Sequence, residues 1–413
     1  MTILLISSFY YPSFVGGAEI SVQMLAEGLV KAGNKVYVLV TGNANKVYRV
    51  SGVVVVSLKQ RNVFSIAGTR NRHPALKVLW HLVDSCNVFY HLTISRLLGK
   101  IKPDVVHTNT IQGFSPFIWV AIKNYKIPLI HTTRDYYLLC HKCSLYNGGN
   151  CKKLCAPCKI THSLKSRFIT LPDHFIGISN FILDRHKPAF KQHQNSSLIY
   201  NGVTLPAQPN RADHAEGKIC LGYIGRIADD KGVAYLAGEL ASLGDYHRSR
   251  IKVLFAGKGE SDFIDELKIK LEGIEHVFLN VVKPQDFYPA IDILIVPALW
   301  NEPFGRTVIE SLSYSVPVCQ ADTGGLKELY NPATSWMFTP KHGNLSNLIT
   351  QIIDNEAQIA IKKQSCRKQA EKFSSTAYID NHLKLYRRLL PAQIPVSEPA
   401  ITPGIEIKIK NFN

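Results

Sequence analysis

The sequence predicts an α/β protein of two doubly wound, Rossmann-like domains whose parallel sheets face a shared cleft. Three observations lead there. The chain has 413 residues, about right for two domains at roughly 150–200 residues each. Short β-branched runs alternate with amphipathic segments, the signature of strand–helix–strand units. That alternation restarts halfway, after a turn-rich stretch at 201–210 that holds Asn-Gly and two prolines.

In the first half, strands are expected at 2–7, 35–41, 104–108, 127–131 and 173–178. Between the first two, Val22, Leu25, Ala26, Leu29 and Val30 recur at helical spacing, giving one apolar face. Gly33 follows them, suited to a left-handed helix end. Strand, helix and strand in that order imply a right-handed crossover and a parallel sheet. In the second half, strands are expected at 218–224, 251–256, 276–280, 292–296 and 316–318. The expected division is a domain over 1–203 with a cysteine-rich insertion at 140–158, a domain over 204–390, and a proline-marked tail at 391–413.

Composition excludes several classes. Apolar residues make up 46% and charged residues 19%, which is neither a disordered nor a fibrous composition. No run approaches the ~18 apolar residues of a membrane span. The opening MTILLISSFYYP lacks a basic stretch and turns polar too early for a secretory signal, so a cytoplasmic location is expected. The net charge of +17 lies entirely in residues 1–200, which carry 24 basic and 7 acidic side chains, whereas 201–413 carry 24 of each. Such a half raises the local concentration of anionic partners: nucleic acid, an anionic membrane surface, or a phosphorylated substrate.

Chemistry is expected in the loops after the strands, where such sheets bind ligands. The most specific segment is DILIVPALWNEPFGRTVIESLSYSVPV at 292–318. A buried strand should end near Pro297, and a helix should begin at Pro303 or just after, where proline's missing N–H costs nothing. The free N–H groups of Phe304, Gly305, Arg306 and Thr307 would then form an anion site at the positive end of the helix. Glu302 and Glu310 suit hydrogen bonds from sugar or ribose hydroxyls. The plainer alternative makes Glu302 a helix-start acid and leaves Glu310 solvated. Arg226 and Lys231 follow a strand and can neutralise a diphosphate, or serve as solvated loop cations. Gly16 and Gly17 allow backbone to approach a ligand, though a plain turn needs glycine too. Gly257 belongs to a bare GxG, and Gly324 and Gly325 fit a turn.

The string EPFGRTVIE (302–310) resembles the E-x7-E signature of retaining glycosyltransferases of family 4, which have the two-domain GT-B fold. More features of that family stand in order: SSFYYPSFVGGAE (7–19), ISNFI (178–182), YNGV (200–203), GRIADDKG (225–232), FAGKGE (255–260) and DTGGLKE (322–328). The resemblance implies a nucleotide-diphosphate-sugar donor in the C-terminal domain, bound through Arg226, Lys231, Glu310 and the N–H groups after Pro303. It implies Glu302 orienting the sugar, Gly16, Gly17 and Gly257 near the donor, and a glycan or polyprenyl-pyrophosphate-linked acceptor on the basic N-terminal domain. Surface polysaccharide biosynthesis is the expected setting. No cofactor is expected; neither half holds the D-x-D that would carry a nucleotide-bound metal.

One departure concerns a His-Asp pair found in many members after the fourth strand. In IPLIHTTRDYYLLC, Asp135 takes the aspartate's place and Arg134 the histidine's, with His131 three residues earlier. Arg134 cannot be a base but can bind a developing negative charge; His131 is either an acceptor-side group or a bland strand-end residue. Retaining transfer needs no enzymic base, because the departing phosphate can accept the proton.

Cys140, Cys143, Cys151, Cys155 and Cys158 crowd together, with His141 between the first two. Without a secretory signal they are expected to be thiols or metal ligands, with Cys140, Cys143, Cys155 and Cys158 the candidate set for structural Zn and no catalytic metal. Residues 76–100 form one apolar-rich helix candidate, read as a core helix; the alternative is a surface dipping into a membrane, which would make the protein peripheral on the inner face of the cell membrane. The rival functions are a nucleic-acid-binding protein using the basic half and the cysteines, and a non-catalytic sugar-nucleotide-binding relative.

Overall fold

The computed structural model describes residues 1–13, 16–66, 72–190, 195–207 and 217–390. The tail at 391–413 lies outside the described residues, as do Phe14 and Val15 of the first loop and the end of the turn-rich stretch.

Two sheets form. The first holds β1 (Thr2–Ile6), β2 (Lys35–Gly42), β3 (Lys46–Val50), β4 (Val53–Lys59), β5 (Val105–Thr108), β6 (Leu129–Thr133), β7 (His174–Gly177) and β8 (Asn195–Leu198), in the order 3-4-2-1-5-6-7-8. The second holds β9 (Ile219–Ile224), β10 (Ile251–Ala256), β11 (Glu275–Leu279), β12 (Ile293–Val296), β13 (Val318–Ala321) and β14 (Ser335–Phe338), in the order 11-10-9-12-13-14. Every pairing is parallel except β3 with β4. β3, β4, β8 and β14 were not expected. β3 has no buried residue and β8 begins with two exposed ones, so neither makes a continuous apolar run.

Both faces of each sheet are covered, as a doubly wound fold requires. In β1, Ile3 and Leu5 point into one core and Leu4 and Ile6 into another. The helix Gly17–Lys31 buries Val22, Leu25, Ala26 and Leu29, and Gly33 after it has φ +78°, the left-handed end expected of it.

Two expectations need correction. The stretch 76–100 is two helices, Pro74–Ser85 and His91–Ile101. Asn87 breaks them apart: it is fully buried and donates to the carbonyls of Arg61 and Gly113, while its backbone N–H donates to Ser115. Only the second is a core helix, burying Ile94, Leu97, Leu98 and Ile101; the first buries Trp80 and leaves Leu76, Val78, Leu79 and Leu82 outside. The second correction concerns the domain boundary. The helix Ser375–Leu389 belongs in packing terms to the first domain, because Tyr378, Leu383, Leu385 and Tyr386 lie in the core with Ile3, Leu5 and Val22. A Cβ on Gly28 would meet the Ile379 side chain at 2.0 Å, so the two helices touch through that glycine.

The halves also share a core. Tyr136, Ile178, Ile182 and Val203 from the first pack with Phe304, Val308, Leu326 and Phe373 from the second. This contact sets the loops at the C-terminal ends of both sheets opposite each other.

Candidate active site

Four loops of the second sheet converge there: 225–232 after β9, 257–260 after β10, 297–305 after β12 and 322–325 after β13. They are packed too closely for side chains at their contacts. A Cβ on Gly257 (φ +141°) would lie 1.8 Å from the Gly225 carbonyl oxygen, and one on Gly232 (φ +74°) 1.8 Å from that of Pro297. Lys231, in a single helical turn at Asp229–Lys231, is thereby brought under the 297–305 loop. Its Nζ lies 2.8 Å from Glu302 Oε2 and 4.5 Å from the Trp300 ring centre, and Trp300 Nε1 donates to the same carboxylate oxygen at 2.8 Å.

The stretch 299–303 is held from several sides. Asn150 donates to the Leu299 carbonyl at 2.8 Å and accepts from the Asn301 N–H at 2.7 Å. The Tyr136 hydroxyl donates to the Asn301 carbonyl at 2.6 Å, and Ser179 to the Pro303 carbonyl at 2.5 Å. From the second domain, Gly325 N–H donates to the Glu302 carbonyl at 2.7 Å, and a Cβ on Gly324 (φ +54°) would lie 2.4 Å from that oxygen. Gly324 and Gly325 thus do more than turn the chain. Glu302 is aimed by residues of both domains.

The helix after this strap begins at Arg306, not at Pro303. Gly305 at φ +108° and the fixed Pro303 carbonyl keep the chain out of helix until then. Phe304 is core, against Tyr200 and Phe373. The first-turn N–H groups of Arg306 and Thr307 start an eight-residue helix. The Arg306 side chain turns elsewhere: its Nε is 2.7 Å from Glu310 Oε1, and its NH1 donates at 3.1 Å to Ser21 Oγ and to the Gly202 carbonyl. Gly17 lies against it, a Cβ there being 3.0 Å from Arg306 Cδ. Glu310 also accepts from the Tyr288 hydroxyl at 3.1 Å, so it is paired rather than solvated. Gly16 opens the facing helix, its N–H donating to Glu19 Oε2 at 2.8 Å.

Arg226 stands at the rim. Its NH2 is 2.6 Å from Asp230 Oδ2 and its side chain is 57% exposed, paired with Asp230 rather than with Glu302. Asp135 accepts from the Tyr137 N–H at 2.8 Å, and burial with the nearby Glu19 charge among the causes raises its pKa to about 6.

Arg134 and His131 take structural parts. Arg134 is buried, with Nε donating to Asn109 Oδ1 at 2.8 Å, NH1 to Asn201 Oδ1 at 2.7 Å and NH2 to the Tyr378 hydroxyl at 2.8 Å. This fork clasps the helix Ser375–Leu389 to the first domain and is spent on protein acceptors, so the expected anion-binding part is not supported. His131 bonds Thr108 Oγ1 through Nδ1 at 2.9 Å among Trp119 and Phe175, and burial lowers its pKa to about 3. Its ring is thus engaged by protein groups on the strand side.

Of the expected cysteine set, the structure brings Cys140 and Cys158 together with His141, and Cys143 and Cys155 stand outside that group. The Cys140 and Cys158 sulfurs are 3.5 Å apart and His141 Nδ1 is 3.2 Å from Cys158 Sγ. Cys143 instead packs against the apolar core of the first domain. Its φ of +60° turns the chain there, which carries its side chain away from the others. Among the residues at the site, sequence reasoning missed Trp300, Tyr136, Asn150, Ser179 and Tyr378; only Ser179, a helix-capping serine after a strand, carries a readable local signal.

Comparison with known proteins follows the division of the chain. The family model described as Glycosyltransferase Family 4 matches residues 15–205, and that described as Glycosyl transferases group 1 matches 206–373. An uncharacterized 42.6 kDa protein in the cps region of Klebsiella pneumoniae is 32% identical over 333 residues, covering 80% of this chain and 87% of that protein. Sucrose-phosphate synthase from Thermosynechococcus elongatus superposes with a TM-score of 0.75 at 18% identity, over 94% of this chain and 98% of that one. Anabaena HepE, solved in complex with UDP-glucose, superposes with a TM-score of 0.68 at 17% identity, over 94% and 100%. These findings favour glycosyl transfer over the nucleic-acid reading of the basic half. With a GT-B fold, two matching halves and a relative in a cps region, the chain belongs to the glycosyltransferases of the family 4 and group 1 type.

Proposed function

We propose that the protein is a retaining, metal-independent glycosyltransferase that moves a sugar from a nucleotide-diphosphate donor to a glycan or polyprenyl-pyrophosphate-linked acceptor in surface polysaccharide biosynthesis. The observation that carries this is the Lys231–Glu302 pair on the cleft wall, 2.8 Å apart and braced by both domains. The bond between the sugar's anomeric carbon and the diphosphate oxygen breaks as the acceptor oxygen attacks from the same face. Its proton passes to the departing phosphate, whose charge Lys231 and Arg226 offset. Glu302 accepts hydroxyl hydrogen bonds from the sugar, and closure keeps water out. HepE bound to UDP-glucose supports a UDP-sugar as the first donor to try. A non-catalytic, donor-binding relative is the less supported reading, since Arg226, Lys231, Glu302 and Glu310 are all present.

The acceptor's membrane setting draws on the outer face of the helix Pro74–Ser85. No helix among the described residues is long and apolar enough to cross a membrane. Val78, Phe89 and Leu92 are nevertheless 60%, 58% and 67% exposed. Val78 also lines an open cavity of about 1060 Å³, together with Ile66, Lys77, Leu82 and Ile160. A basic domain with such a face suits peripheral binding at an anionic leaflet.

The test is a panel of UDP-, GDP- and ADP-sugars, each offered with a lipid-linked acceptor on anionic vesicles. Sugar transfer with the donor's anomeric configuration kept in the product supports the reading. Donor binding without transfer across the panel, or an inverted product, overturns it.

A further inference from the structure

We propose that Cys140, His141, Cys155 and Cys158 form a structural site for a thiophilic divalent ion of the Zn²⁺ type, which ties together the two ends of the insertion loop whose Asn150 holds the strap that carries Glu302. The inference does not depend on the reaction assigned above.

The geometry comes first. One atom each from Cys140, His141 and Cys158 lie within 4.8 Å of one another, with contacts of 3.5 Å between the sulfurs and 3.2 Å from imidazole to sulfur. Tetrahedral Zn²⁺, at about 2.3 Å from sulfur and about 2.0 Å from nitrogen, sets its ligand atoms roughly 3.5–3.8 Å apart. Cys140 and Cys158 are buried. The fourth ligand is Cys155, which caps the helix Ala156–Ser166 one turn before Cys158. It stands outside the trio and is exposed, so it joins only by a turn of its side chain about the helix start.

The loop's architecture needs such a staple. From Cys140 to Cys155 the chain forms no helix and no strand beyond one bridge, Tyr146 with Asn150, and runs through left-handed conformations at Cys143, Leu145 and Gly148. A loop that long inside a compact domain is ordinarily either functional or unstructured. Within this one Asn150 holds Leu299 and Asn301 at 2.8 and 2.7 Å, while Arg185 donates to the Cys151 carbonyl at 2.7 Å. Three thiolates and one Zn²⁺ leave one negative charge, and Lys142, Lys152, Lys153 and Lys159 stand within three residues of a ligand in the sequence. The protons of the three thiols go to solvent on binding. Thiolate and imidazole ligands select Zn²⁺ over Mg²⁺ or Ca²⁺.

The full chain, without a histidine tag and kept reduced, is assayed for bound metal by elemental analysis and for Co²⁺ uptake by absorption. The expected result is about one Zn²⁺ per chain and, with Co²⁺, a thiolate-to-metal charge-transfer band. H141Q and C155S, both near the surface, should lower the stoichiometry at least tenfold or abolish the band, while C143A and C151S keep both. No stoichiometric Zn²⁺ and no Co²⁺ band in the wild type overturns the site. So does full metal content in H141Q and C155S, or loss of metal from C143A. Circular dichroism separates loss of metal from loss of fold in each variant, and a variant that unfolds is replaced by chelator titration of the wild type, where release of Zn²⁺ with a fall in melting temperature is expected and no change overturns the staple.

Discussion

Lys231 and Glu302 meet at 2.8 Å although 71 residues separate them, because Gly232 and Gly257 let three loops of the second sheet close to backbone contact. Both side chains remain about a fifth to a quarter exposed. The pair is therefore positioned by the fold without being a main support of it, since an ion pair this accessible contributes little net stability.

Substitution at the pair should accordingly separate activity from folding. K231M and E302Q are each expected to lower sugar transfer by about 10²–10³-fold, the range for removing one group that stabilises transition-state charge. R226A, at the more exposed rim, should lower it by about tenfold or more through weaker hold on the diphosphate. Denaturant midpoints should stay near wild type for all three. Initial rates and urea unfolding on the same preparations check this; full activity in all three would remove the assignment.

Arg134 should behave in the opposite way. Its three nitrogens each bond a different protein oxygen, and two of those oxygens, on Asn109 and Asn201, would be left buried without it. R134M is expected to lose about 2–4 kcal/mol of unfolding free energy, given ~1–3 kcal/mol for each stranded buried group. R134K should rescue only part, because an ammonium cannot reproduce the planar fork. Denaturation curves decide; a variant of native stability that has lost donor affinity would restore an anion-binding part for this residue.

The two arginines show where the sequence was legible. Strand ends, loop glycines and the 302–310 string are local patterns, so the fold class could be read from spacing, and the resemblance those strings carry pointed to Lys231 and Glu302. What a side chain does across the molecule could not be read in this way. Arg134 looks like an anion ligand until Tyr378, 244 positions away, is seen to occupy it. Asn150 sits in a glycine-flanked loop with nothing to mark it, yet it holds the strap before Glu302. The return of Ser375–Leu389 to the first domain was hidden for the same reason, since its apolar face fits either half. The helix break at Asn87 was missed because a buried asparagine bonding backbone reads, in sequence, as one polar residue in an apolar helix.

Asp135 gives a pH signature. Its carboxyl is raised from 3.8 to about 6, burial being the largest cause. In the window between those values the folded state holds a proton that the unfolded chain releases, so stability from this group falls as pH rises from about 4 to 6. D135N keeps the oxygen that accepts from the Tyr137 N–H and removes the titration. Unfolding free energies at pH 4.5 and 6.5 should therefore differ less, in the direction of loss at the higher pH, in D135N than in wild type. Equal pH dependence in the two proteins would place this carboxyl outside the linkage.

The strap offers a sharper test through two glycines of the same domain. At Gly324 a Cβ would stand 2.4 Å from the Glu302 carbonyl oxygen and 2.7 Å from the Glu302 nitrogen and the Asn301 carbon. All three are backbone atoms, so no side-chain rotation relieves the contact, and φ of +54° adds strain for any L-residue. G324A should thus shift the strap and misplace Glu302, lowering transfer by about tenfold or more, as misplacement by an ångström does. Gly238 is the control. It lies within the helix Val233–Ala241 with nothing inside 4 Å of its Cβ position, so G238A should stabilise the protein by about 0.5–1 kcal/mol and leave activity unchanged. Steady-state rates and thermal melts of the two variants check both halves. If G324A matches wild type in rate while G238A stabilises as expected, the backbone contact between Gly324 and Glu302 does not aim the carboxylate.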